Sequence, residues 1–231
     1  MFLKYLPLAS LLALASCGAS TTTPSTDTGI ADVRMDSQED STATTLPYLG
    51  PNGRQPVPAF SLPDQDGHLV STKSLAGKVY ITDFFFATCP GICPKMQSEL
   101  LKVYKQYATN PHVVFLSFTI DPAHDSLAVL RDYARRLGVN TPGSSWRFLR
   151  TTDRPMAYSL ANNYLAAAQT DLKAPGGIAH SGALALVDDQ GFVRGTYDGL
   201  NPQQVAQLLR QLPVLLAEVQ TRQGQPATAQ R

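Results

Sequence analysis

The sequence lacks a surplus of charge of either sign. Its 231 residues contain 19 Lys and Arg against 18 Asp and Glu, and the basic residues are scattered along the chain. Such a balance gives no broad attraction for polyanions, which argues against a nucleic-acid partner and against charge-driven binding to an anionic membrane surface. Internal repeats are also lacking, and the length suits one ordinary domain with flanking segments.

The apolar run near the N-terminus is too short to span a bilayer. Residues 1–16 have the composition of a signal peptide, with Lys4 followed by leucines and then small residues. Residues 14–17, LASC, resemble the lipobox of bacterial lipoproteins, which implies cleavage before Cys17 and a diacylglycerol on its sulfur. We therefore expect an exported lipoprotein, anchored in a membrane of the cell envelope at its periplasmic or extracytoplasmic face. The alternative is an ordinary cleaved signal in which Cys17 is incidental.

Two polar segments flank the predicted domain. Residues 17–46 are rich in Ser, Thr, Asp, Gly and Ala without apolar periodicity, which predicts a flexible linker. Residues 220–231 are polar and predict a disordered tail. The folded domain is accordingly expected over residues 47–219.

Within the domain, short apolar runs alternate with amphipathic stretches. A hairpin is predicted around Asp66 and Gly67, followed by strands, helices and a closing hairpin and helix. The predicted strands are 79–86, 113–120, 146–149, 183–187 and 192–197, and the predicted helices start near 93, 127, 154 and 205. This order is typical of a thioredoxin-like α/β fold, with a central mixed sheet flanked by helices, an N-terminal hairpin and an inserted unit.

Cysteine is scarce, with three residues in the chain. If Cys17 carries lipid, the domain keeps only Cys89 and Cys93, and a disulfide closing so short a loop would add little stability. The pair lies where a strand gives way to a helix, and Pro94 fits the first helical turn. Free backbone N–H groups there favour a thiolate, so the pair can chelate a soft ion or form a disulfide.

Three separated motifs resemble the Sco (SenC-type) proteins. They are 84–94, FFFATCPGICP, then 118–126, FTIDPAHDS, and the segment from His180 to Gly191. The resemblance covers roughly residues 57–212. It implies a thioredoxin-like copper metallochaperone that assists assembly of the binuclear copper centre of cytochrome c oxidase.

The resemblance also implies the ligands and partners. Copper, as Cu(I) or Cu(II), would be held by Cys89, Cys93 and His180, and two thiolates with an imidazole suit both states. Zinc could use the same residues, normally with a fourth ligand. His180 follows a glycine-containing loop, residues 176–179, that could swing it towards the cysteines. The implied partners are the copper-bearing oxidase subunit, the membrane through the lipid anchor, and other copper chaperones or thiol reductants.

Two positions near these motifs have alternative interpretations. Asp121 ends a predicted strand and could accept a hydrogen bond that orients a copper ligand or contact a partner, or it could only start the turn at Pro122. Gly91 stands where many family members have Asp, which could alter copper affinity or the partner surface.

The same cysteine pair also allows catalysis. The alternative function is a thiol-disulfide reductase that keeps the oxidase subunit's cysteines reduced before copper arrives. A peroxidase is disfavoured, since the sequence lacks the Pro-x-x-x-Thr-x-x-Cys arrangement of peroxiredoxins.

Overall fold

The computed structural model describes residues 45–50 and 55–224. The predicted signal peptide, the lipidation site Cys17 and nearly all of the predicted linker lie outside the described residues. The strands are β1 (Ser61–Pro63), β2 (Leu69–Ser71), β3 (Val79–Phe85), β4 (Val113–Thr119), β5 (Trp146–Leu149), β6 (Ala168–Thr170), β7 (Ile178–His180), β8 (Ala183–Val187) and β9 (Val193–Asp198). The helices are α1 (Cys93–Tyr107), α2 (Leu127–Arg136), α3 (Arg154–Asn163) and α4 (Pro202–Arg222).

A five-stranded mixed sheet forms the centre of the domain, in the order β5-β4-β3-β8-β9. Strands β3, β4 and β5 are parallel, whereas β8 runs antiparallel to both β3 and β9. The predicted N-terminal hairpin is present as the antiparallel pair β1 and β2. This architecture confirms the predicted thioredoxin-like α/β fold.

Every residue of the central strand β3 is buried. Its apolar side chains join those of β4 and β5, where the Trp146 and Phe148 rings stack with centroids 5.7 Å apart. A parallel strand covered on both faces has a nearly continuous run of apolar residues. This pattern is why β3 could be predicted from the sequence.

Polar side chains define the starts of three helices. Ser126, Asp153 and Asn201 each accept a hydrogen bond from a backbone N–H in the first turn of α2, α3 and α4. These caps satisfy donors that have no partner inside the helix. Shortly after α2, Gly138 takes a φ of 77° that disfavours other residues.

The folded region extends beyond both predicted boundaries. Leu46, expected in the linker, is buried, and its carbonyl accepts a hydrogen bond from the buried Arg194 guanidinium. Gln220, expected to begin the tail, is helical because α4 continues to Arg222. The polar composition of residues 220–222 led to the wrong C-terminal boundary, because the helix that buries Leu216 and Val219 on one face continues through these polar residues.

None of the helices in the described part of the chain combines the length and the hydropathy that crossing a membrane would require.

Candidate metal centre

The two cysteines lie in the loop from the end of β3 to the start of α1. Cys93 is the first residue of α1, with Pro94 next to it, and its side chain is buried. Cys89 is partly buried, and its N–H donates to the Phe86 carbonyl at 3.1 Å, which closes a turn. Ile92, the residue before the helix, provides no side-chain cap. The first N–H groups of α1 are therefore available to stabilise negative charge on sulfur.

His180 lies in a strand, which corrects the expectation of a swinging loop. It is the last residue of β7, which pairs with β6 as an antiparallel hairpin with Ala168 opposite His180. The Ser181 N–H continues this pairing by donating to the Ala167 carbonyl at 2.8 Å. The hairpin could not be predicted, because two three-residue strands are too short to show a two-residue alternation.

The β6–β7 hairpin rests on the cysteine loop through a glycine. Gly176 has a φ of 76°, and a Cβ there would lie 2.7 Å from Cε2 of the Phe86 ring. Such a separation is too short for any side chain, so the close approach of the two segments requires glycine. The Phe86 ring also meets the His180 ring edge to face, with centroids 5.8 Å apart.

The fold brings the three predicted ligands together. Nε2 of His180 lies 3.2 Å from Sγ of Cys93, and the ligand atoms of Cys89, Cys93 and His180 all lie within 4.8 Å of one another. Nδ1 of His180 lies 3.1 Å from the Ser181 carbonyl oxygen. Because a carbonyl can only accept, Nδ1 carries a proton, and Nε2 is the ring nitrogen that faces the sulfurs.

The two thiols have opposite acidities. A hydrogen bond from the Cys93 thiol, aided by His180 and by the backbone N–H groups of Cys93 and Gly91, lowers the pKa of Cys89 to about 4 against the opposing effect of burial. The pKa of Cys93 is raised, because its proton is shared with the Cys89 sulfur and because it is buried. Near neutral pH the metal-free pair is therefore a Cys89 thiolate beside a Cys93 thiol.

A buried carboxyl group, Asp83 in β3, was missed by the sequence analysis. It accepts hydrogen bonds from Nε2 of Gln97 at 2.7 Å and from Oγ of Ser117 at 2.5 Å. Burial raises the pKa of Asp83 to about 7, and its charge is close enough to influence both Cys93 and His180. The available signal was one acidic residue inside a strand whose other residues are apolar except for Thr82.

Asp121 follows β4 and is buried, with its carboxylate already engaged. Oδ1 accepts from Nη2 of Arg154 at 2.8 Å, and Oδ2 lies 2.6 Å from Nδ1 of His124. The Asp121 N–H donates to Oγ1 of Thr119 at 3.0 Å. Asp121 therefore organises the turn after β4.

A second group that could hold a cation lies in the turn between β1 and β2, formed by Asp64, Asp66 and His68. Asp64 is buried, and its Oδ1 accepts the backbone N–H groups of Asp66 and His68, each at 2.9 Å. Arg131 pairs with Asp66 at 3.0 Å. These carboxylates are thus occupied in shaping the turn, and hard oxygen ligands do not suit copper in its reduced state.

The class is that of thioredoxin-like proteins with a candidate metal site. The site consists of a dithiol beside an imidazole, next to the end of the central strand. The SCO1/SenC family model matches residues 51–213 of the chain. The protein belongs to the SCO1/SenC family, which confirms the resemblance seen in the sequence.

Individual relatives agree with this membership. The SCO1 protein homolog of Bacillus subtilis (strain 168) is 32% identical over 150 residues, covering 62% of this chain and 74% of the homolog. A Stutzerimonas stutzeri protein, provisionally named as copper-binding, is 30% identical over 165 residues, covering 69% of this chain and 76% of its own.

Solved structures show the same fold. A SCO1/SenC family lipoprotein from Bacillus anthracis str. Ames is 26% identical with a TM-score of 0.62, covering 70% of this chain and 98% of that one. BsSco, described as a Sco cytochrome c oxidase assembly protein with a disulfide switch, is 28% identical with a TM-score of 0.59, covering 75% and 97%.

Proposed function

We propose that this protein is a copper metallochaperone that binds copper through Cys89, Cys93 and His180 and assists assembly of the binuclear copper centre of cytochrome c oxidase. The observation that carries the proposal is the convergence of two sulfurs and one imidazole nitrogen within 4.8 Å. Family membership and the copper-binding and oxidase-assembly descriptions of two relatives support it.

The donor set fits copper as cargo. Two thiolates satisfy Cu(I), and the added imidazole nitrogen supports Cu(II) in a tetragonal site. Structural zinc normally takes four protein ligands, and the group found here offers three. Binding requires the Cys93 proton to leave, so copper uptake should release protons and weaken as the pH falls.

The exposure of the ligands suits delivery to another protein. Cys93 is buried at the base of the site, whereas Cys89 and His180 are partly exposed beside the exposed residues Pro90 and Gly91. A partner can therefore reach Cys89 and His180 first and exchange its own ligands for them one at a time. The copper-bearing oxidase subunit is the proposed acceptor.

We also propose that the domain acts at a membrane. The lipobox-like residues 14–17 would place a lipid on Cys17, and residues 18–45 would tether the domain at the extracytoplasmic surface. The Bacillus anthracis neighbour described as a family lipoprotein supports this proposal. Such an anchor would keep the copper site near a membrane-embedded oxidase.

Copper titration of the reduced protein tests the function. We expect one copper per domain, with a sulfur-to-Cu(II) absorption band that is lost in His180→Ala, while Cu(I) remains bound by the two thiolates. His68→Ala is the matched control, because it removes an exposed histidine from the other candidate cation group. An unchanged band in His180→Ala, or its loss in His68→Ala, would overturn the ligand assignment.

A thiol-disulfide reductase is the second candidate, favoured by the low pKa of Cys89 beside a protonated Cys93. The Cys89 thiolate would attack a target disulfide and release one target thiolate. Cys93, after losing its proton, would then attack Cys89 and release the second, leaving a Cys89–Cys93 disulfide and a reduced target. An external dithiol must restore the pair.

Redox titration separates the two functions. A reductase needs a Cys89–Cys93 potential low enough to reduce the target, and it should transfer two electrons to a disulfide peptide copied from the oxidase copper site. Copper delivery without peptide reduction would support the metallochaperone alone.

A further inference from the structure

We infer that Asp125 is the positioning residue of the site, because its buried carboxylate replaces the missing strand partner of Ala87 and so fixes the loop that carries Cys89. The expected effect of Asp125 on copper affinity rests on the proposed function, whereas its expected effect on the ionisation of Cys89 does not.

The ladder between β3 and β4 ends just before the cysteine loop. Phe85 pairs with Thr119, and the Ile120 N–H donates to the Phe85 carbonyl at 2.8 Å. Hydrogen bonds in a parallel ladder alternate along each strand, so Ala87 is the next residue of the β3 chain whose N–H points towards β4. The β4 chain has by then turned away into the Asp121–Pro122 segment.

The carboxylate of Asp125 takes over as the acceptor. The Ala87 N–H donates to Oδ2 of Asp125 at 3.1 Å and to Oδ1 at 3.3 Å. Asp125 has 0% exposure, so without the carboxylate this N–H would lose its acceptor where water is largely excluded. Two residues later the Cys89 N–H bonds the Phe86 carbonyl, so the turn that carries Cys89 is held at both ends.

Asp125 is itself held rigidly in place. The Thr119 hydroxyl donates a short hydrogen bond to its Oδ2, and Nε of Arg150 donates to its backbone carbonyl at 3.2 Å. Arg150 also donates to the Pro122 carbonyl at 2.8 Å, which ties the whole turn after β4 to the sheet. A rigid support of this kind is what an accurately placed ligand group requires.

The position of Cys89 decides the chemistry of the thiol pair. Its thiolate is stabilised first by the Cys93 thiol and then by His180, and hydrogen bonds weaken steeply when displaced. Release of Ala87 would let the turn move and would separate Cys89 from both donors. The same movement would open the copper site.

The experiment compares Asp125→Ala with Asp125→Asn in the metal-free, reduced protein. The rate of alkylation of Cys89 against pH reports its ionisation. In Asp125→Ala we expect the midpoint to move to higher pH by about one unit or more, because Cys89 loses its donors. Asp125→Asn removes the charge but keeps an oxygen that can accept from Ala87, so its midpoint should stay near the wild-type value or move lower.

A matched control separates positioning from general damage. Asp64→Ala deletes another buried carboxylate that accepts two backbone N–H bonds, in the β1–β2 turn. Its thermal stability should fall as in Asp125→Ala, while its Cys89 profile stays that of the wild type. If Asp125→Ala does not fold, Thr119→Val removes the hydroxyl that holds Asp125 and that also accepts the Asp121 N–H. It should give a smaller upward movement, absent from Thr119→Ser, which keeps both hydrogen bonds.

Copper affinity provides the second readout. Loss of a supporting group typically weakens metal binding about 10–100-fold, so we expect about a tenfold increase in the copper Kd of Asp125→Ala and little change in Asp64→Ala. A wild-type protein that binds no copper would overturn the proposed function while leaving the alkylation profiles to decide the role of Asp125. A wild-type profile in folded Asp125→Ala, or a downward movement, would overturn the positioning role.

Discussion

The two halves of the site are built in different ways. The cysteine half, from Phe86 to Cys93, joins the fully buried strand β3 to helix α1 and is continuous with the core. The histidine half is the β6–β7 hairpin, a separate two-stranded sheet whose turn includes Leu172 at 91% exposure. Gly176 against Phe86 is where the hairpin rests on the cysteine loop.

This difference assigns different tasks to the two halves. The thiols need a fixed geometry to share one proton, and the core supplies it through the end of β3 and the start of α1. In the proposed copper site the imidazole would add a nitrogen ligand from a hairpin that is not part of the central sheet. The dithiol chemistry should therefore survive changes in the hairpin, while Cu(II) binding should not.

The largest expected effect concerns the cysteine half alone. With the pKa of Cys89 at about 4 and that of buried Cys93 raised, alkylation at pH 6 should modify Cys89 about a hundredfold faster than Cys93. Reaction at Cys89 should decline as the pH falls towards 4, because the thiolate then takes up a proton. Mass spectrometry of peptides from the alkylated protein measures both rates.

The same measurement on His180→Ala sharpens the comparison. The Cys93 thiol contributes more to the acidity of Cys89 than His180 does, so the preference for Cys89 should persist without the imidazole. Equal modification of the two cysteines in this variant would show that the halves are not separable.

An intermediate effect is expected from the contact between the halves. In Gly176→Ala the new Cβ would clash with the Phe86 ring, so the hairpin must move and Cu(II) affinity should fall about tenfold, as when a supporting group is lost. Cys89–Cys93 disulfide formation should be unaffected. Cu(II) titration and thiol counting after oxidation measure the two properties.

Gly177→Ala is the control for backbone strain. Gly177 has a φ of 75°, nearly that of Gly176, but a Cβ there would meet nothing within 4 Å. Both variants carry the cost of a left-handed conformation, about 1–2 kcal/mol, and only Gly176→Ala carries the clash. Equal losses of Cu(II) affinity in the two variants would mean that strain, and not contact with Phe86, explains the effect.

The smallest effect is expected at Gly91. A Cβ at this position would lie 3.9 Å from the Pro175 side chain, an ordinary contact, so Gly91→Asp should fold normally. Its negative charge would oppose the Cys89 thiolate and raise the pKa of that thiol by less than about one unit, because the site is partly exposed. Copper affinity should change only a few-fold.

Gly91→Asn controls for side-chain size at this position without adding charge. The alkylation profile of Cys89 should move to higher pH in Gly91→Asp and stay unchanged in Gly91→Asn. A matching movement in both would assign the effect to packing against Pro175.

Most of the fold could be predicted from local sequence patterns. Strands β5 and β8 were predicted with their observed bounds, β3 and β4 to within one residue, and the start of α3 at the correct residue, because buried strands and amphipathic helices have distinct apolar periods. The dithiol at the strand-to-helix junction could also be predicted, since both cysteines lie within one short segment. The β6–β7 hairpin could not, because its strands are too short to have a period.

What the sequence alone determined is therefore the order of the elements other than β6 and β7, and the placement of two thiols at the start of α1. Only the tertiary structure decided that Nε2 of His180, 87 residues after Cys93, comes within 3.2 Å of its sulfur. It also decided that Asp83 is buried behind the thiols and that Asp125 holds Ala87. The physical reason is that periodicity records which face of an element is buried, whereas contacts between distant segments depend on how the sheet and the hairpin pack.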